Sequence, residues 1–155
     1  MTRPSDISER IMARLLALAP ADGSMELPPR VFVDMDGEFI DYVEGESLTA
    51  RFPNKSRYAN PFGYMQGGII GAAIDNTVSP LSYALTAPNL TKSLSTQYRR
   101  PVTGSDEFID VIASLAERTE AGVVMRAEVR TPNGKLVATA EAQCVYIKHQ
   151  REVGP

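Results

Sequence analysis

Between Arg57 and Lys92 the chain carries a single charged side chain, Asp75, inside a run from about residue 66 to 84 that is apolar on nearly every side. That pattern predicts a helix buried on all its faces, so the remaining elements have to wrap around it. Pro80 interrupts the run and cannot donate to the carbonyl of Asn76, which predicts a bend or loosening there. A carboxylate taken out of water is costly when uncompensated, so Asp75 is expected to have a hidden partner or a chemical role. Gly67-Gly68 opens the run and offers backbone N–H groups at a helix start, a natural site for an anion or a polarised oxygen.

Upstream, Ile7, Ile11, Leu15 and Leu18 recur at helical spacing, with Asp6 and Glu9 placed as a capping pair and Pro20 ending the helix. The segment through Pro28-Pro29 reads as a connector. Two short strands follow. In the first, Phe39, Asp41 and Val43 alternate with Glu38, Ile40 and Tyr42; in the second, Leu48, Ala50 and Phe52 alternate with Ser47, Thr49 and Arg51, and Gly45 suits the hairpin between them.

Downstream the alternation is more regular. Residues 93 to 100 read as a strand, and 107 to 118 present Ile109, Val111, Ala113 and Leu115 on one face. Residues 122 to 130 set Val123, Met125, Ala127 and Val129 against Val124, Arg126, Glu128 and Arg130. Asn133-Gly134 marks a hairpin turn, and 135 to 147 place Ala138, Ala140, Ala142 and Cys144 on one face, small enough for a helix to lie close. The expected architecture is α+β: one curved antiparallel sheet around one buried helix, with an extra N-terminal helix. Residues 1–30 form the helix and connector, 31–148 the sheet-and-helix domain, and 149–155 a tail.

Composition narrows the function. A chain of 155 residues, 43% of them hydrophobic, forms one domain with a real core. Its formal net charge of -3 supplies no cationic surface for general nucleic-acid binding; Arg99-Arg100 is only a local basic pair. Cys144 is the one cysteine, which excludes an intrachain disulfide and a cysteine-rich metal site and fits a reducing, cytoplasmic setting. Asp6, Glu9, Arg10 and Arg14 break up the amino-terminal apolar positions, so no signal-peptide core is expected, and no uncharged stretch reads as a membrane span.

The segment Asn60-Pro61-Phe62-Gly63-Tyr64-Met65-Gln66-Gly67-Gly68 through Asp75, followed by Tyr98-Arg99-Arg100-Pro101, resembles the phenylacetate-pathway (PaaI-like) branch of hotdog acyl-CoA thioesterases. In that branch an Asn, a His-Gly-Gly turn and a helix Asp recur at this spacing. The likeness runs from about residue 36 to 148, with a sharp motif only from Asn60 to Asp75; Gln66 stands where the family usually has His.

The resemblance implies the hotdog fold and hydrolysis of an acyl-CoA thioester, with CoA as part of the substrate and no separate cofactor or metal. Gly67 and Gly68 amides are then expected to polarise the thioester carbonyl, and Asp75 to act as general base on water or as nucleophile. Asn60 orients the water or the acyl oxygen, and Gln66 positions by hydrogen bonding without exchanging a proton. Thr91 or Ser93 hydrogen-bonds to the Asp. Tyr64, Phe62 and Tyr83 line an acyl pocket.

Arg99 and Arg100 are candidates for CoA phosphate, although strand alternation sends them to opposite faces so that one at most faces the nucleotide. Gly67 and Asp75 are eight residues apart, about 12 Å along one helix, so a single carbonyl reaches both only if they come from different subunits. The expected assembly is therefore a homodimer, with a dimer of dimers by analogy. A thiol leaves readily near its reference pKa of about 8.5, so one carboxylate suffices without His. His149, the only histidine, reads as part of a solvated tail, which disfavours the hydratase and dehydratase relatives. A non-catalytic acyl-CoA or small-ligand binding module, or a structural homo-oligomer held by Asp75, are the alternatives.

Overall fold

The structure, a computed structural model, describes residues 3–147; His149 lies outside the described residues. Helix α1 (Pro4–Leu18) is followed by a short helix α2 (Arg30–Asp34), strands β1 (Glu38–Val43) and β2 (Ser47–Pro53), and a 3-10 turn at Ser56–Tyr58. Helix α3 (Gly67–Leu85) then precedes β3 (Asn89–Tyr98), β4 (Phe108–Arg118), β5 (Gly122–Arg130) and β6 (Leu136–Tyr146). All strands pair antiparallel in one six-stranded sheet of order β1-β2-β4-β5-β6-β3. The long α3 carries the chain from near one edge to the other, and β3 is left as a free edge.

Helix α3 runs through Pro80 as one element. Ile70, Ala73, Ile74, Thr77, Val78 and Leu81 form its buried stripe at helical spacing. The opposite side departs from the sequence reading: Gly71, Ala72, Asp75, Asn76 and Ser79 are only half-buried and Gly68 is exposed. The apolar run therefore has a covered face and a less covered one, and Asp75 lies on the second.

Helix α1 belongs to the same core, with Ile7, Ile11 and Leu15 buried. It starts earlier than Asp6: the chain enters at Arg3, Pro4 takes the first helical position, and Asp6 Oδ2 accepts from the Arg3 amide at 3.2 Å. Asp6 and Glu9 thus do not cap as a pair. Ala19, before Pro20, is extended (φ -65°, ψ 145°), as a pre-proline residue prefers. Tyr83 Oη donates to Leu18 O at 3.2 Å and Arg14 Nε to Ala84 O at 3.2 Å, tying the end of α1 to the end of α3.

Helix α2 was not legible in the sequence. Its Phe32 stacks on Phe39 of β1 (4.5 Å between centroids) and meets Phe52 of β2 edge-on at 5.7 Å, so tertiary burial holds five residues too short to be helical alone. In β1 the predicted alternation fails. A bulge between Phe39 and Asp41 turns both Phe39 and Tyr42 into the core. The later strands follow their alternation closely, with Val123, Met125, Ala127 and Val129 of β5 and Ala138, Ala140, Ala142 and Cys144 of β6 all buried. Gly134 closes the β5–β6 turn at φ 78°, a conformation that favours glycine. No described helix is long and apolar enough to cross a membrane.

Gly122 sits where β5 starts against β6, and a Cβ there falls 1.8 Å from the carbonyl oxygen of Cys144. Backbone on backbone has no rotamer escape. Gly122→Ala is expected to destabilise the fold by roughly 3 kcal/mol or more, read as a lowered midpoint in urea unfolding with an unchanged slope.

Candidate active site

The approach to α3 is pinned before the helix begins. Asn60 N donates to Tyr64 O (2.7 Å), Gly63 N donates to Asn60 O (2.9 Å), Met65 N to Val102 O (3.0 Å) and Gln66 N to Tyr58 O (2.9 Å). The Asn60 side chain completes the turn, its Oδ1 accepting from the amides of Phe62 (2.9 Å) and Tyr64 (3.1 Å). Asn60 Oδ1 is therefore occupied by the turn, and only its Nδ2 is left to meet a ligand. This loop lies in the same cleft as Gly67, so Asn60 is both a turn residue and a lining residue.

Gln66 is the N-cap of α3, with its backbone extended and its carbonyl accepting from Ile69 N (3.0 Å) and Ile70 N (3.3 Å). Its side chain is exposed and makes no capping bond. The amides of Gly67 and Gly68 have no acceptor among the described residues, as expected for the first turn of a helix. They sit at the positive end of a 19-residue helix.

Tyr98, at the end of β3, donates from Oη to Gly67 O at 2.7 Å, and a Cβ on Gly67 falls 3.1 Å from its ring. Gly67 is thus set by close approach of an aromatic ring, whereas Gly68 has open space where a Cβ points. Tyr98 belongs to the Tyr98-Arg99-Arg100-Pro101 segment of the resemblance, but its bond to Gly67 emerges only once β3 is seen to return beside α3.

Gly67, Asn60, Tyr64 and Tyr98 share a cleft of about 290 Å³ with Arg99 and Arg100. Both arginines line it, contrary to the alternation expected of a strand. β3 ends at Tyr98, and the amides of Arg99 (2.7 Å) and Arg100 (3.1 Å) both donate to Val137 O, so the period-two rule no longer applies there. Both are exposed, and neither is in a salt bridge among the described residues. The cleft therefore has a cationic rim in a chain of net negative charge.

Two turns further along α3, the half-buried Asp75 accepts on Oδ1 from Thr91 Oγ1 at 2.7 Å and, more weakly, from Ser79 Oγ at 3.4 Å. No cation pairs with it among the described residues, and Oδ2 accepts no protein hydrogen bond there. Of the two hydroxyls expected beside it, the structure brings only Thr91. A bulge between Thr91 and Ser93 puts Thr91 opposite the buried Cys144 and Ser93 opposite the exposed Gln143, on the other face of the sheet. Ser79, four residues after Asp75, was missed although i,i+4 spacing places it on the same side of the helix. Burial pushes the nearby Cys144 thiol up; hydrogen bonds from Ser82 and Thr91 oppose this and the Asp75 charge adds to it. Cys144 is core rather than nucleophile.

The aromatic candidates divide. Tyr64 is 41% exposed in the Gly67 cleft, Phe62 is 84% exposed and lines no cavity described here, and Tyr83 is buried against a separate cavity beneath α1. Among the described residues no group of three or more His, Cys, Asp or Glu side chains is arranged to hold a metal ion.

No protein-family model and no curated protein sequence matches the chain. Solved structures do. PaaI from the phenylacetic acid degradation operon of E. coli matches with a TM-score of 0.76 at 14% identity, over 92% of this chain and 96% of that one. A phenylacetic acid degradation-related protein of Ralstonia eutropha JMP134 matches with a TM-score of 0.71 at 27% identity, over 87% and 98%. A Streptococcus mutans UA159 protein bound to acetyl CoA matches with a TM-score of 0.68 at 14% identity, over 81% and 94%. With its six-stranded antiparallel sheet, central α3 and added α1, the chain has the hotdog fold that it shares with these PaaI structures.

Proposed function

We propose that the chain hydrolyses an acyl-CoA thioester at a site shared between two copies of itself. The observation that carries this reading is Asp75: a half-buried carboxylate that among the described residues pairs with no cation, one oxygen held by Thr91 and the other open to water or substrate. The free amides of Gly67 and Gly68 supply the complementary donors for an oxyanion. The structures it resembles, PaaI and an acetyl CoA-bound protein among them, agree with that substrate class.

Both elements lie on α3 about 12 Å apart, so one carbonyl group reaches them only if a second α3 runs alongside. The free β3 edge, ten residues long, and the half-buried stripe of Gly71, Ala72, Asp75 and Ser79 are the surfaces such a partner covers. In the dimer the carbonyl oxygen accepts from the amides of one copy while the partner's Asp75 faces the carbon.

By the general-base route, water attacks the carbonyl carbon and its proton passes to Asp75; the oxyanion then collapses, the C–S bond breaks and CoA leaves as thiolate. By the nucleophilic route an Asp75 oxygen attacks, CoA leaves, and water opens the resulting mixed anhydride. Either route needs one carboxylate. A thiolate leaves without strong acid assistance, so Gln66 in place of a proton-transferring side chain is compatible with turnover. Arg99 and Arg100 meet the CoA phosphates at the rim of the cleft. The exposed, unbonded Gln66 side chain also favours a second reading, an acyl-CoA binder without turnover.

Asp75→Asn keeps shape and hydrogen bonding but removes the base, so thiol release from acyl-CoA is expected to fall by roughly 10²- to 10⁴-fold with the dimer intact. A panel of short, long and aromatic acyl-CoAs that raises the melting temperature but releases no thiol decides for the binding reading.

The shared site predicts complementation. Gly68→Pro removes one amide where a helix's first turn tolerates proline and where the added ring meets open space. Subunit exchange between Gly68→Pro and Asp75→Asn then rebuilds one intact site in each mixed dimer, about a quarter of wild-type activity from two nearly inactive proteins. No recovery after demonstrated exchange counts against a site built from two chains.

A further inference from the structure

A second cavity, of about 330 Å³, lies between α1, the connector after it and the C-terminal half of α3. Met12 of α1, Met25 and Leu27 of the connector and Ser79, Pro80 and Tyr83 of α3 line it. The bonds from Tyr83 to Leu18 and from Arg14 to Ala84 hold α1 over α3 at this end. Among the described residues no charged side chain lines the cavity; the polar residues in its wall are Ser24, Ser79 and Asn89, besides the Tyr83 hydroxyl already bonded to Leu18.

Its position relative to Asp75 gives it meaning. Ser79 forms part of its wall and also donates to Asp75 Oδ1 at 3.4 Å, so the cavity begins one helical turn beyond the carboxylate. A thioester whose carbonyl carbon faces Asp75 has its CoA end directed to the cationic cleft of the other copy and its acyl end free to turn toward this apolar space.

We propose that this cavity receives the acyl chain and makes the protein selective for uncharged, medium-length apolar acyl groups. The proposal rests on the thioesterase reading above and deepens it by naming the substrate class. The volume lies at the small end of small-molecule sites, and at ~30 Å³ per group it holds about ten groups of methylene size. A chain of about eight carbons fits. An acyl group ending in a carboxylate is disfavoured, because the lining formed by the described residues offers no cation to compensate a desolvated charge.

The test is the ratio of kcat/KM for octanoyl-CoA to that for acetyl-CoA, and to that for succinyl-CoA, in the wild-type dimer and in Met25→Trp and Met25→Ala. The wild type is expected to favour octanoyl-CoA over both by about tenfold or more, a discrimination within reach of an apolar pocket. Met25→Trp fills the cavity and lowers the octanoyl-to-acetyl ratio about tenfold, whereas Met25→Ala enlarges it and moves the preference toward dodecanoyl-CoA. Opposite shifts cannot come from poor folding. Thiol release with the same chain-length profile in all three proteins, or with succinyl-CoA accepted as well as octanoyl-CoA, overturns this inference and leaves the thioesterase reading standing. Wild-type protein that releases no thiol from any of the substrates overturns both.

Discussion

Ile70, Ile74, Val78 and Leu81 lie at or below 2% exposure against the inner face of the sheet, and their burial positions every group in the site. At roughly 1.5 to 3 kcal/mol for each side chain, these four contribute about 6 to 12 kcal/mol. A proline inside a helix costs about 3 kcal/mol. Packing therefore outweighs the hydrogen bond lost at Pro80, and α3 continues as one helix to Leu85. One rigid element can then carry free amides at its start, a carboxylate in its middle and a cavity wall near its end.

The same packing explains why Asp75 is tolerated. The buried stripe leaves the opposite side of α3 half-covered, and the carboxylate sits there rather than in the core. Thr91 reaches it because β3 crosses to the far edge of the sheet and the bulge after Thr91 keeps that hydroxyl on the inner face. The hydroxyls of Thr91 and Ser79 orient the carboxylate, and no cation pairs with it among the described residues.

Long-period features were legible in the sequence. The alternations in β5 and β6 survive along most of both strands, failing at the Val129/Arg130 bulge where Val137 is buried beside Ala138, because both strands lie inside the sheet and a one-residue slip would invert the buried face. The apolar run and its Gly67-Gly68 start mark α3 for the same reason. What failed were features decided by a single residue of register. The bulge in β1 puts Phe39 and Tyr42 on one side, the bulge in β3 separates Thr91 from Ser93, and the end of β3 at Tyr98 frees Arg99 and Arg100 to share a cleft. A bulge leaves little trace in residue type, since it is set by what the neighbouring strand and helix have to accommodate. Helix α2 was hidden likewise, because Phe32 is held by two aromatic partners distant in sequence. Through the family motif, Asn60 was expected to be a site residue. Its oxygen serves the turn, and its placement beside Gly67 puts the remaining amide group within the cleft.

On the proposed thioesterase reading, the distribution of charge distinguishes the two ends of the substrate. The amide-bearing start of α3 is flanked by exposed Arg99 and Arg100, suited to phosphate, while the cavity beyond Asp75 has no charged lining among the described residues. A single protomer presents these on one helix, but in an order that no single carbonyl group can use, since the donors and the acid are separated along the helix axis. In the proposed dimer a second α3 beside the first would convert that separation into opposition, with the donors of one helix facing the acid of the other. On the proposed reading a thiolate is the leaving group, so the proton inventory would reduce to the one that water gives up, and one well-held carboxylate would be sufficient to take it.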